Sequence, residues 1–221
     1  MRLQSYINES LSDHQKNKLK KVLEDKCQPF LKEFGMRYVH FDFIYRGLKR
    51  RTVNTIDIIK TRTDRKPRIV NNKLHTRLNK IGKELFGWNI RSEGVFTGGT
   101  KVTAAYGNVC IFIPVGKYKY VYNPDISKIY ALYDEYDNNE WYSDDYIPSD
   151  DKHSVEKWKD KRAKIEKKIY NIYKNDYKTS GLVNILNEFE FEAIFQCKEY
   201  LVVNTNYGID LQDILREILG I

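Results

Sequence analysis

Segments with a helical period and segments with a strand period alternate along this chain, and that alternation constrains the fold more than any other feature. Ser12-Asp-His-Gln15 resembles a capping box and predicts a first helix. Pro29 is expected to end or kink this helix, and Gly35 to close the unit. Residues 36–47 then alternate as a strand does. Helices followed by interleaved strands and helices indicate an α+β or mixed α/β class.

The rest of the chain continues this succession. The expected elements are a short strand at 55–59, a helix striped by Leu74, Leu78, Ile81 and Leu85 and ended by Gly87, a strand at 92–97, a small helical turn at 103–107, strands at 109–114 and 117–122, a short helix capped by Asp125, a long helix over about 152–175, a short helix at 182–186, a bent strand or strand pair at 189–204, and a last helix capped by Asp210.

Composition indicates a folded chain; its length allows one large domain or two small ones, and the lack of a linker rich in Pro, Gly or Ser favours one. Of its 221 residues 41% are apolar and 14% aromatic, which is enough to bury a core. No apolar run approaches the ~20 residues of a membrane span, so no membrane association is expected. Cys27, Cys110 and Cys197 are widely spaced and suggest neither a disulfide framework nor a zinc site. We expect a tail over 1–10 and one domain over 11–221.

Charge is unevenly distributed. The formal net charge is +8, and Lys and Arg are concentrated in 16–26, 46–68 and 157–174. Residues 134–151 are acidic and are expected to form an exposed loop. A basic surface suits nucleic acid or an anionic ligand, but it also serves solubility alone.

A set of polar residues falls on three predicted strands. Arg46 ends one strand before Gly47, and Thr97 ends a second strand before Gly98-Gly99. Glu190 and Glu192 are two apart on the third strand, so they are expected on one face. An arginine suits phosphate oxygens, and a carboxylate can stabilise positive charge on a sugar ring. Taken singly, these residues also fit a surface ion pair, a hairpin turn and a solvated strand face.

These pieces resemble mono-ADP-ribosyltransferases, in the subgroup whose site combines an arginine, a serine or threonine, and a glutamate. The matching segments are Tyr45-Arg46-Gly47, Phe96-Thr97-Gly98-Gly99-Thr100 and Glu190-Phe191-Glu192, in this order. The resemblance implies an α+β fold with a two-sheet core, here with an N-terminal helical segment. It implies that NAD binds between the sheets as a substrate. ADP-ribose would pass to a protein side chain, with arginine expected, and nicotinamide would leave without need of a metal.

The resemblance also implies which residues bind NAD. Arg46 would contact the phosphates, and the backbone of Gly47 would bond the nicotinamide amide or the adenine. Tyr106 would pack on the nicotinamide ring.

The remaining roles concern the reaction itself. Glu192 would hold the ribose 2′-hydroxyl and stabilise the transition state, and Thr97 would orient Glu192. Ser92 is the alternative for that hydroxyl role. Glu190 would handle an acceptor guanidinium, although Glu188 alternates on the same predicted face and is a further candidate carboxylate.

The chain is also similar to proteins of large tailed bacteriophages that carry YRG, RSEG-VF and A-YG segments. Ile7-Asn8-Glu9 is similar to the sites that the prohead proteases of such phages cut. This implies packaging in the phage head, delivery to the host cytoplasm and a host protein as acceptor. The alternatives are a basic nucleic-acid-binding phage protein that keeps the fold without catalysis, and ADP-ribosylation of nucleic acid.

Overall fold

The computed structural model describes residues 10–40, 42–49, 55–65, 72–99, 103–137, 152–186 and 190–221. Twelve helices and strands lie in these ranges, together with short 3₁₀ turns at Leu182–Ile185 and Thr205–Tyr207. They are α1 (Asp13–Lys26), α2 (Gln28–His40), β1 (Tyr45–Leu48), β2 (Ile56–Lys60), α3 (Asn72–Phe86), α4 (Ile90–Glu93), β3 (Val95–Gly98), β4 (Asn108–Asn123), α5 (Ser127–Asp137), α6 (Lys152–Asn175), β5 (Glu192–Asn204) and α7 (Gly208–Leu219). The α+β class is confirmed.

The described strands are antiparallel and belong to one hydrogen-bonded sheet of order β2-β5-β3-β1-β4, where two sheets are predicted. Strands β4 and β5 also pair along most of their length, from Cys110↔Asn204 to Asn123↔Glu192. The pairings β5–β3, β3–β1, β1–β4 and β4–β5 therefore close into a ring, with β2 as an outer strand on β5. Such closure requires a strongly twisted sheet.

Two apolar cores pack against this sheet, and they lie on opposite faces of it around Ile194 and Phe195. Neighbouring residues of a strand point to opposite faces, and Ile194 and Phe195 of β5 accordingly belong to different cores. The first core includes Leu23 of α1, Phe34 of α2 and Leu215 of α7. The second is built by α3, α5 and α6, through residues such as Leu78, Ile129 and Ile169.

The N-terminal helices differ from the prediction. Helix α1 begins at the predicted capping box of Ser12 and Gln15, but it ends at Lys26, before Pro29. Pro29 lies in the first turn of α2, where a missing N–H does not interrupt the helix. Gly35 does not close the unit, because it lies inside α2.

The strand predicted over 36–47 is wrong in its first half. Residues 36–40 continue α2, and β1 begins only at Tyr45. The helix is favoured because Phe30, Phe34 and Tyr38, each four residues from the next, are all fully buried on one face.

Other differences concern the ends of elements. The predicted cap Asp210 lies inside α7, where its carboxylate accepts from Leu11 N at 2.9 Å and pairs with Lys16 at 2.9 Å. Residues 134–137 of the predicted acidic loop belong to α5. Residues 138–151, the segment Ile7–Glu9 and Glu188 lie outside the described residues. Within the described ranges no helix is long and apolar enough to cross a membrane.

The strand predicted at 92–97 is wrong at its start, because helix α4 extends to Glu93 and β3 begins at Val95, whereas most other elements follow the prediction. Strand β2, helix α3 and the long helix α6 lie where they are expected, and Gly87 follows α3 with a φ of 82°. Residues 108–123 form one strand instead of two. Residues 192–204 also form a single strand.

Candidate active site

The three strands that carry the predicted site residues are neighbours in the sheet, in the order β5, β3, β1. Their register aligns Tyr45 with Gly98 and Gly98 with Glu192. Arg46 directly follows Tyr45, and Thr97 directly precedes Gly98. Since neighbouring strands are about 4.8 Å apart, the backbones of the predicted arginine, threonine and glutamate converge on one part of the sheet.

Glu192 lies at the first position of β5 with only 4% of its surface exposed. Its Oε1 accepts a hydrogen bond from the Tyr177 hydroxyl at 3.0 Å, and its Oε2 accepts one from the Tyr130 hydroxyl at 3.2 Å. A buried carboxylate is costly unless donors satisfy it, and the two phenols supply them.

The phenols around Glu192 form a connected cluster. The hydroxyls of Tyr133 and Tyr173 lie 2.6 Å apart, and the rings of Tyr173 and Tyr177 stack with centroids 4.2 Å apart. Burial and the charge of Glu192 raise the pKa of Tyr177 well above its usual value. Burial and Glu192 also raise the pKa of Tyr130. Both phenols therefore stay protonated and act as donors to the carboxylate.

Tyr106 connects this cluster to the turn that follows β3. Tyr106 helps to raise the pKa of Tyr130, after burial and the charge of Glu192, and the Tyr130 hydroxyl in turn donates to Glu192. Tyr106 is partly exposed. The predicted nicotinamide-packing residue is thus linked to the predicted catalytic carboxylate through one intervening phenol.

Arg91 adds a positive charge to the same cluster. Its guanidinium lies 4.5 Å from the centroid of the Phe96 ring and 5.7 Å from that of Tyr133. Burial acts to lower the pKa of Arg91, but the surrounding phenols and Glu192 outweigh it and raise that pKa. Arg91 remains a cation, and Arg65 brings a second guanidinium to 5.0 Å from the same Phe96 ring.

Arg46 points toward β3. Its Nη1 donates a hydrogen bond to the carbonyl oxygen of Phe96, and its guanidinium lies 5.5 Å from the centroid of the Tyr200 ring. Its Nε is buried and finds no acceptor among the described residues. A buried N–H without an acceptor is uncommon and leaves hydrogen-bonding capacity for a ligand.

The Thr97 hydroxyl does not contact the Glu192 carboxylate. It donates to the carbonyl oxygen of Ala193 at 2.9 Å, and Thr97 is 2% exposed. Thr97 faces Ala193 in the ladder, whereas Glu192 faces Gly98, so the two side chains point to opposite faces. Any orienting effect of Thr97 on Glu192 is therefore transmitted through the backbone of β5.

Gly47 lies where the chain approaches itself closely. A Cβ at this position would lie 2.4 Å from the Thr103 carbonyl oxygen and 2.7 Å from the Tyr106 Cβ. Gly47 also pairs with Val109 of β4. Only glycine lets the turn that carries Tyr106 rest on β1.

Ser92 belongs to a separate group of side chains. The Asn79 Oδ1 accepts from the backbone N–H groups of Arg91 and Ser92, at 2.9 and 3.1 Å, so the Asn79 Nδ2 must donate to the Ser92 Oγ, 2.6 Å away. The Ser92 Oγ also lies within hydrogen-bond distance of His75 Nε2, at 3.1 Å. Burial and Arg91 lower the pKa of His75, in agreement with a neutral ring. Of the two candidate hydroxyls, Thr97 is the one next to Glu192 in the sheet.

Glu190 is exposed and precedes β5, so it does not share a strand face with Glu192. The two carboxylates predicted as a pair therefore lie in different environments. An exposed carboxylate at this position is accessible to a cationic group of another molecule.

Sequence reasoning missed the role of Tyr130 and Tyr177. The helical spacing of Tyr173 and Tyr177 on and just after α6 indicates one buried face, but spacing alone does not reveal a buried carboxylate as their partner. The available sequence signal is the position of Glu192 at the start of an apolar strand. A glutamate that is buried there requires hydrogen-bond donors from elsewhere in the chain.

Comparison of the chain with family models, with curated proteins and with solved structures gave no match. Among the described residues, no group of three or more His, Cys, Asp or Glu side chains is arranged to hold a metal ion.

Proposed function

We propose that this chain transfers ADP-ribose from NAD to a side chain of a host protein, with arginine as the expected acceptor. The observation that carries the proposal is the adjacency of β5, β3 and β1, which brings Glu192, Thr97 and Arg46 to one part of the sheet. An ADP-ribosyltransferase-like core is part of the same proposal.

The environment of Glu192 supports this proposal. The bond between C1′ of the ribose and the nicotinamide nitrogen breaks, nicotinamide leaves with the bonding electrons, and positive charge develops on the sugar ring. A carboxylate held by Tyr130 and Tyr177 can stabilise this charge without reorganising. An acceptor nitrogen then bonds to C1′ and releases a proton.

The residues present also suit the anionic part of NAD. The buried Arg46 Nε has no acceptor among the described residues, and Arg91 lies nearby against Phe96. Guanidinium groups match phosphate oxygens in geometry and charge. Tyr106 supplies a partly exposed ring next to Tyr130 for an aromatic ligand.

The test is incubation of the purified protein with labelled NAD and a bacterial lysate, beside the Glu192→Gln variant. We expect label on specific proteins with the parent chain, and at least about 10²-fold less with the variant. Glu199→Gln is a matched control, because Glu199 lies on the same strand but pairs with β2. Label that is independent of Glu192, or no label at all, would overturn the proposal.

A further inference from the structure

The outward face of the C-terminal half of α6 carries only positive charge. Between positions 161 and 175 the sole acidic residue is Glu166. Its carboxylate is turned away from this face, because it pairs with Arg77 of α3 at 3.3 Å and with Arg162 at 3.1 Å. No acidic side chain of this half of the helix therefore offsets the lysines outside.

Four lysines form a stripe along that face, which we call the α6 lysine stripe: Lys164, Lys167, Lys168 and Lys174. All four are exposed. Lys167, Lys168 and Lys174 follow Lys164 by three, four and ten residues, and these spacings keep all four on one side of the helix. None forms an ion pair with another described residue.

A groove between α5 and α6 runs beside the stripe. It is a shallow, open depression of ≈ 480 Å³, lined mainly by apolar atoms. Its lining consists of Lys128, Ala131, Leu132 and Glu135 of α5 and of Lys168, Asn171 and Ile172 of α6. Because the groove includes one carboxylate, Glu135, the main contact for an anionic partner is the α6 lysine stripe, and the groove adds apolar surface beside it.

We propose that the α6 lysine stripe and the adjoining groove bind the phosphate backbone of nucleic acid without reading its sequence. Lysine ammonium groups act as point charges on phosphates, whereas planar arginine forks favour bidentate contacts in one fixed geometry, so a stripe of lysines suits contacts that do not depend on base sequence. The stripe contains no arginine, and Arg162 is engaged with Glu166. A row of cations along one helix suits the regularly spaced charges of a nucleic-acid strand.

This binding goes beyond ADP-ribosyl transfer and requires no NAD. The test measures fluorescence anisotropy of a labelled duplex and of a labelled single strand of the same sequence, between about 50 and 200 mM salt. The variant combines Lys164→Glu, Lys167→Glu and Lys168→Glu. The control combines Lys18→Glu, Lys21→Glu and Lys26→Glu on the exposed face of α1, so the net charge changes equally. Circular dichroism verifies that both variants fold.

We expect the parent to bind both probes with strong salt dependence. The α6 variant should lower the slope of log K against log salt by about three, and the α1 variant should change it little. Equal weakening by both variants would assign the binding to net charge and overturn the proposal. Lack of binding at about 50 mM salt would also overturn it. So would tighter binding of polyglutamate than of either oligonucleotide, because the surface would then serve an acidic protein.

Discussion

The Tyr177 hydroxyl donates a hydrogen bond of 3.0 Å to Oε1 of Glu192, although Tyr177 lies in the loop after α6 and Glu192 begins β5. A loop residue two positions after the end of α6 thereby holds the carboxylate that begins β5. This contact links the stability of the fold to the proposed chemistry, because the same hydrogen bond satisfies a buried charge and orients it.

Removal of the Tyr177 hydroxyl should therefore affect both properties. We expect Tyr177→Phe to lower the free energy of unfolding by about 1–3 kcal/mol, because a buried carboxylate loses one of its donors. Denaturant titration measures this. Tyr170→Phe is the matched control, since the Tyr170 hydroxyl donates to Glu84 at an exposed site and its loss should change stability little. Equal effects of the two variants would contradict our account of Glu192.

Glu190 should affect the acceptor and not the breaking of the NAD bond. Since it is exposed and precedes the strand that Glu192 begins, we expect Glu190→Ala to lose transfer to arginine while NAD hydrolysis continues. The measurement compares label on a polyarginine acceptor with release of nicotinamide. Glu192→Gln should lose both activities. If Glu190→Ala also loses both, the acceptor-specific role of Glu190 is wrong.

The Asp210 carboxylate should contribute to stability through the backbone of Leu11. It accepts the Leu11 N–H at 2.9 Å in a buried position, so Asp210→Ala leaves that donor without its partner. We expect the free energy of unfolding to fall by about 1–3 kcal/mol in a denaturant titration. Asp213→Ala, three residues further along α7, removes only an exposed ion pair with Arg216 and should change little. A larger loss for Asp213→Ala would contradict this assignment.

Two glycines should respond to alanine in opposite ways. Gly47→Ala places a Cβ 2.4 Å from the Thr103 carbonyl oxygen, which is backbone and cannot rotate away, so we expect a loss of about 1–3 kcal/mol. Gly35→Ala meets only the flexible end of Leu219 at 3.2 Å, and alanine favours a helix interior. Thermal melts of the two variants should show Gly35→Ala near or above the parent. A parent-like Gly47→Ala would contradict the close packing of the 103–106 turn on β1.

Part of this architecture follows from sequence pattern alone. The capping box of α1 and the glycine after α3 are local signals, and the structure confirms both of them. The strand predicted over 36–47 failed because Tyr38 satisfies two periods at once. It alternates with Val39 as in a strand, and it also continues the four-residue spacing of Phe30 and Phe34. Burial against the first core favours the helical period.

The details of the site depend on register and on tertiary contacts. Whether Thr97 and Glu192 share a face is decided by which residues pair across β3 and β5, and a shift of one residue reverses the answer. The phenols that hold Glu192 come from distant segments, which no local pattern relates to β5. Sequence reasoning therefore located the strands that carry Arg46, Thr97 and Glu192, but not the side chains that surround Glu192.

The three cysteines should make the fold sensitive to alkaline pH. Burial raises the pKa of Cys27 from 9.0 to about 12, and burial raises the pKa values of Cys110 and Cys197 to about 11. Above pH 9 the unfolded chain loses thiol protons that the native chain keeps. Stability from this source is therefore complete below pH 9 and falls as pH rises toward 11.

Denaturant titrations at increasing pH measure this loss, with a Cys110→Ala, Cys197→Ala double variant as the control. The pH dependence above pH 9 should be weaker in the double variant, because two of the three linked protons are absent. In parallel, a thiol reagent at neutral pH should label the unfolded chain rapidly and the native chain only at the rate of its opening, since a buried thiol is neither ionised nor accessible. Rapid labelling of the native chain would contradict the burial of these side chains.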